Sequence, residues 1–171
     1  QDIADASWIL KPELAPALQA MVETGLVFDA LVKSVHLPHI LTLAARHPDL
    51  KIVIDHAAKP DIAASQWQPW ADGMAQIALQ TTAVCKLSGL MTEAGPNPQA
   101  AALLPYVEHV LKCFGPGRVL WGSDWPVLEL ACTYGDWWAQ TQQVLGAFGK
   151  DEKAAILGGN AARIYGLDPA R

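Results

Sequence analysis

Asp124 closes the run Arg118-Val-Leu-Trp-Gly-Ser-Asp-Trp-Pro126, and its setting suits chemistry. The apolar residues Val119 to Trp121 read as a buried strand, and Gly122 and Ser123 turn the chain outward. Asp124 then stands at the strand's C-terminal end, where parallel α/β folds place their chemistry. A carboxylate there can take a proton from water or ligate a metal. Ser-Asp before Trp-Pro is also good turn chemistry, so the local sequence fits a structural aspartate as well. His56 ends a second apolar run, after Asp55. From that position an imidazole can bind a metal, donate to a developing oxyanion or shuttle a proton. The bland alternative is a buried histidine bonded to backbone. Lys59, three residues on, can hold a substrate carboxylate or simply be solvated.

The other candidates rank below these. His36 and His39 are three apart and share a helix face. His36 lies nearer a strand end and is kept as a substrate-binding candidate, whereas His39, His47 and His109 read as structural. Trp125 adjoins Asp124 on a loop and can wall a substrate pocket. Trp67, Trp70, Trp137 and Trp138 lie at helical spacings and read as packing, as does Trp121. Lys86 alternates with Cys85 and Leu87 and in a barrel would point inward. Ser88 lacks a G-x-S-x-G setting and does not read as a nucleophile. Gly158-Gly-Asn160 is no phosphate loop.

The elements that must position these residues alternate along the chain. Residues 1–11 read as a loop, and 12–23 as a helix stopped by Gly25. Strands are expected at 26–32, 51–56, 83–87 and 119–121. Helices are expected at 38–46, at 66–80 behind a Ser65 cap, and at 100–114, 134–148, 151–157 and 160–165. Residues 88–98 are the longest irregular stretch. Four strand–helix repeats of about 26 to 36 residues have the size of βα units. Continuous apolar strands between amphipathic helices imply a parallel sheet covered by helices, in sequential order. The connections entering strands are short turns. Those leaving strands carry His36, His56, Lys59, Ser88, Glu93, Asp124 and Trp125, the asymmetry that an active face at the C-terminal end requires.

Composition sets the outer limits. The 171 residues suit one domain, and 51% hydrophobic against 17% charged residues allow a sizeable core. A net charge of −5 and the lack of a basic cluster exclude a nucleic-acid surface. No apolar run is long enough to cross a bilayer. The three cysteines, Cys85, Cys113 and Cys132, form no metal-binding spacing, so a reducing cytoplasm is expected.

Several segments taken together resemble the amidohydrolase-2 family of TIM-barrel hydrolases, in its branch of sugar-lactone hydrolases. They are Leu26-Val-Phe-Asp-Ala-Leu-Val, Ile54-Asp-His-Ala-Ala-Lys-Pro60, Lys86-Leu-Ser-Gly89, Val119-Leu-Trp-Gly-Ser-Asp-Trp-Pro126 and Gly159-Asn-Ala-Ala-Arg-Ile-Tyr165, in that order. The resemblance implies a (β/α)8 barrel in which the aspartate after the last strand takes the proton of the attacking water. That role maps onto Asp124. The histidine after the sixth strand maps onto His56 and assists substrate binding or polarisation, and His36 corresponds to the position after the fifth strand. Many members hold a divalent metal such as zinc through an H-x-H pair on the first strand, while others in the lactonase branch manage without it. This chain contains no H-x-H, so the metal ligands stay open, with Asp124 a candidate among them.

A TIM barrel takes about 250 residues and eight strands, and the four strands here match the fifth to eighth. The expected fold is therefore α/β: the C-terminal four βα units of a (β/α)8 barrel, a half-barrel of parallel strands within one partial domain, 1–171. The chain lacks an initiator Met and begins where the fourth strand's loop would be. The expected function is the C-terminal half of a hydrolase opening a lactone, inactive by itself. Its small-molecule substrate is a lactone or carboxylate. Two alternatives stand beside it: a non-oxidative decarboxylase of the same superfamily, and a non-catalytic half-barrel. With two open sheet edges and an apolar inner face, such a half is expected to pair with the missing N-terminal half or to self-associate.

Overall fold

A computed structural model describes residues 3–95 and 100–167. Four strands, β1 (Val27–Ala30), β2 (Lys51–Ile54), β3 (Val84–Leu87) and β4 (Val119–Trp121), form one sheet in the order β1-β2-β3-β4. All neighbours run parallel, with Phe28 opposite Ile52, Val53 opposite Val84, and Lys86 opposite Leu120. The sequential order is what consecutive right-handed βα units produce. The helices are α1 (Ala15–Thr24), α2 (Leu37–Arg46), α3 (Trp70–Gln80), the short α4 (Leu90–Glu93), α5 (Ala100–Phe114), α6 (Tyr134–Val144), α7 (Lys150–Ala154) and α8 (Asn160–Tyr165).

Side chains alternate across a strand, and here the two faces meet different partners. On the outer face Ile52, Ile54, Cys85, Leu87 and Val119 join a large core with Leu37 and Ile40 of α2, Met74 and Ile77 of α3, and Val107 and Val110 of α5. On the inner face Val53, Val84 and Leu120 form a separate buried cluster, covered by Ala161, Ile164 and Tyr165 of α8. The apolar layer expected to lie open on the inner face is thus closed by the last helix. The edges β1 and β4 each have one strand neighbour among the described residues.

The N-terminal end of the sheet is sealed by side chains that satisfy turn carbonyls. Arg118 donates to the carbonyls of Ala78 at 2.9 Å and Thr81 at 3.1 Å. Asn160, which is buried, donates to Pro116 O at 2.7 Å and Val119 O at 2.9 Å. Arg163 reaches Gly117 O at 2.7 Å. These bonds dock the start of α8 beneath β4.

Several boundaries differ from expectation for local reasons. Helix α3 begins at Trp70 rather than at 66, and Ser65 is not its cap but a left-handed residue with φ 54°. Pro69 disfavours helical backbone at Gln68 and so blocks an earlier start. Residues 12–14 form a 3₁₀ turn before α1, where Pro12 and Pro16 lack donors. In the expected N-terminal loop, Trp8–Leu10 makes a 3₁₀ turn that buries Ile9. The expected helix 134–148 stops at Val144, and a 3₁₀ turn, Leu145–Ala147, follows over Gly146. The expected helix 151–157 divides into α7 and a π-helical turn, Ala155–Gly159, ending in Gly158-Gly159. Glycine is a poor helix former. Of the irregular stretch 88–98, residues 90–93 are α4 and 96–98 lie outside the described residues, as do residues 1–2 of the loop.

Candidate active site

The chain leaving β2 takes an unusual course. His56, Ala57, Ala58 and Lys59 have φ values of 50°, 48°, 58° and 48°, successive left-handed residues without a glycine. The left-handed helical conformation costs an L-residue about 1–2 kcal/mol. Packing holds it here: Ala57 and Ala58 are fully buried, and the Trp70 indole donates to Ala57 O at 2.6 Å. Lys59 N–H closes the turn on His56 O at 2.9 Å. Beyond β4, Asp124 is left-handed too, with φ 61°. Of the six non-glycine residues with positive φ among the described residues, only Ser65 lies outside these two loops. Strain of this kind concentrates where side-chain direction matters for function.

These loops bring His56 and Asp124 together. Nε2 of His56 lies 3.5 Å from Oδ1 of Asp124, and both side chains are largely buried. The other ring nitrogen, Nδ1, is 2.8 Å from Ser88 Oγ, just past β3. Two glycines make room. A Cβ on Gly89, whose φ is 67°, would lie 2.8 Å from the His56 ring, and one on Gly122 would meet the Ser88 Cβ at 3.3 Å. The ends of β2, β3 and β4 thus converge on one imidazole. Burial pushes the His56 pKa below its ordinary 6.5; Asp124 and Asp55 pull it back and Lys59 and Lys86 push it further down. The ring is therefore neutral at neutral pH.

A family model described as Amidohydrolase, the amidohydrolase-2 family, matches residues 3–167. The chain belongs to this family. It is 48% identical to an L-fucono-1,5-lactonase from Burkholderia ambifaria, over 98% of this chain and 59% of the relative. A crystal structure of an amidohydrolase from Burkholderia multivorans with bound HEPES matches with a TM-score of 0.92 at 32% identity, over 98% of this chain and 63% of that one. A second crystal form of the same target, with bound zinc, gives a TM-score of 0.90 at 31% identity, over 98% of this chain and 62% of that one. The chain spans about three fifths of the length of these relatives. Its fold is four consecutive βα units of their (β/α)8 barrel.

Around the central pair the chain arranges the remaining candidates differently. Lys59 forms an ion pair with Glu93 at the end of α4, and both are largely buried. Trp125 is 63% exposed, and its indole donates to Glu129 at 3.1 Å. His36 is buried in the turn Ser34–His36 after β1, where its Nδ1 accepts the Lys33 N–H at 3.0 Å. Among the described residues no hydrogen bond or ion pair joins His36 to His56 or Asp124. Sequence reasoning overlooked Ser88 as a partner of His56, because it weighed the hydroxyl only as a nucleophile. It also overlooked the Lys59–Glu93 pair, although both residues stood among the loops leaving strands.

Lys86 does face inward, but into a separate network. Its Nζ lies 2.6 Å from Asp55 Oδ1 and 3.2 Å from Asp29 Oδ1. The Tyr165 hydroxyl donates to Asp29 at 2.5 Å, tying α8 to β1. Burial disfavours the charge on Lys86, yet the Asp55 and Asp29 carboxylates outweigh it and raise its pKa. Burial and Asp29 push Tyr165 up to about 12.

A catalytic zinc takes three protein ligands and keeps a fourth position open. His56 and Asp124 offer two donors facing one another. Among the described residues no group of three or more His, Cys, Asp or Glu side chains is arranged to hold a metal ion. The described residues do not by themselves make up a zinc site.

Proposed function

We propose that His56 and Asp124 open a sugar lactone by attack of water, within a complete barrel to which this chain contributes four βα units. The observation that carries this reading is the convergence of the two side chains, 3.5 Å apart, on left-handed backbone at strand ends. The 48% identity to an L-fucono-1,5-lactonase supports a lactone as the substrate class and favours hydrolysis over decarboxylation.

The chemistry balances with these groups alone. Asp124 accepts a proton from water as the oxygen attacks the lactone carbonyl carbon. The carbonyl oxygen becomes an oxyanion, which His56 stabilises. The intermediate then collapses, the ring C–O bond breaks, and the alkoxide leaves with the proton held by Asp124. The product is an open hydroxy acid, which ionises to a carboxylate. Lys59 holds a polar group of the substrate, and Trp125 forms a wall of the pocket. His36, in the turn after β1, shapes the substrate side. A third metal donor, if the complete barrel holds zinc, comes from outside the four units.

The open edges of β1 and β4 support a second element of the proposal: this chain works joined to further strands, from its own polypeptide or from another copy. The experiment is a lactone-opening assay on the protein with and without the remaining barrel strands of its relatives. Release of the hydroxy acid from an L-fucono-lactone, faster than spontaneous opening and only with those strands present, is expected. An intact barrel without activity on any sugar lactone would overturn the reading.

A further inference from the structure

Ser88 has no role in the chemistry above, yet it is only 1% exposed and lies against His56. A buried hydroxyl requires a hydrogen-bond partner, and His56 Nδ1 supplies one at 2.8 Å. The space around this contact is reserved from both sides. A side chain at Gly89 would strike the imidazole, and one at Gly122 would press on Ser88. Gly89 also takes φ 67°, a conformation that glycine adopts freely.

A serine hydroxyl can donate or accept, so the contact alone does not fix its direction. The other ring nitrogen does. Nε2 faces the Asp124 carboxylate at 3.5 Å. A bare lone pair would repel that oxygen, whereas an N–H is attracted to it. A neutral imidazole carries a single N–H, and the bond made by one nitrogen sets the state of the other. With the proton on Nε2, Nδ1 is an acceptor.

We propose that Ser88 is a positioning residue: its hydroxyl donates to His56 Nδ1 and holds the neutral imidazole as the Nε2–H tautomer, aimed at Asp124 and the reacting oxygen. The catalytic consequence rests on the lactonase reading above. His56 is then a hydrogen-bond donor to the oxyanion and not a base, which leaves proton abstraction to Asp124 alone. The tautomer itself does not depend on that reading.

Two measurements test the proposal and separate it from the function. The first is long-range ¹⁵N–¹H NMR of the imidazoles in the full chain at about pH 8, above the ordinary histidine range. The His56 signals are assigned by their loss in His56→Gln. The expected pattern is a protonated Nε2 and an unprotonated Nδ1, with Ser88→Ala giving a mixture of tautomers while the amide spectrum stays folded. A wild-type ring protonated at Nδ1 would overturn the proposal, whether or not any lactone is hydrolysed. The second is kinetics in the complete barrel. Ser88→Ala should lower kcat by roughly 10- to 100-fold, the usual cost of losing a residue that orients a functional histidine, with KM little changed. A change confined to KM, or none, would overturn the catalytic part. A barrel that opens no lactone but shows the Nε2–H tautomer would refute only the function.

Discussion

At the N-terminal end of the sheet the left-handed positions belong to glycine, Gly25 at φ 70° and Gly115 at φ 67°, with nothing within 4 Å of where a Cβ would lie. Arg118, Asn160 and Arg163 close the turn carbonyls there. At the C-terminal end His56, Ala57, Ala58, Lys59 and Asp124 also take positive φ, with side chains attached. There glycine appears at position 89 because a ring occupies the adjacent space. One end spends its polar side chains on closing backbone; the other bends backbone to aim polar side chains at one another. Closed backbone and converging side chains thus lie at opposite ends of the same sheet, the division by which (β/α) barrels separate stability from chemistry.

The largest expected effect is at Asp124. In the complete barrel Asp124→Asn should leave folding intact and lower kcat by roughly 10²- to 10⁴-fold, the worth of a general base. Turnover near wild type would remove this carboxylate from the chemistry. Next, Gly89→Ala should displace the imidazole and lower kcat on the order of 10²-fold, as misplacement by about 1 Å does. Gly115→Ala, at the opposite end with φ 67° and ψ 166°, should cost about 1–3 kcal/mol in stability with kcat unchanged. Equal kinetic effects at the two glycines would erase the distinction. Asn160→Ala tests the sealed end. It strands two carbonyls and should cost about 1–3 kcal/mol in denaturant unfolding, again without changing kcat in the folded enzyme.

The smallest expected effect is on pH. The folded-state pKa of His56 lies below 6.5, so between that value and 6.5 the unfolded chain binds more protons. The stability linked to His56 is complete above pH 6.5 and is lost as pH falls through the folded-state pKa. Urea midpoints measured across this window should decline toward acid in the wild type and flatten in His56→Gln. An identical slope in both proteins would contradict the neutral, buried imidazole.

The alternation of apolar strands and amphipathic helices made the four parallel units and their order legible in the sequence, because both follow from local periodicity and βα handedness. Helix starts were less so: Ser65 looked like a cap, but Pro69 governed the backbone. His56 and Asp124 were legible as residues at strand ends. Their convergence was implied only by the family resemblance, because it depends on left-handed backbone at residues such as Ala57 and Ala58, which no propensity favours. Ser88 and Glu93 escaped for a similar reason, since each acquires its role from a partner more than 30 residues away. The cover that α8 places over Val53, Val84 and Leu120 was likewise hidden, because it depends on where the last helix docks.

The central claim is that chemistry occurs between His56 and Asp124. A crystal structure of the complete barrel with the hydroxy-acid product of a sugar lactone tests it most directly. The account predicts the product carboxylate seated between the two side chains, one oxygen within hydrogen-bond distance of His56 Nε2 and the other beside Asp124. A product bound elsewhere, with that space filled by side chains, would contradict it.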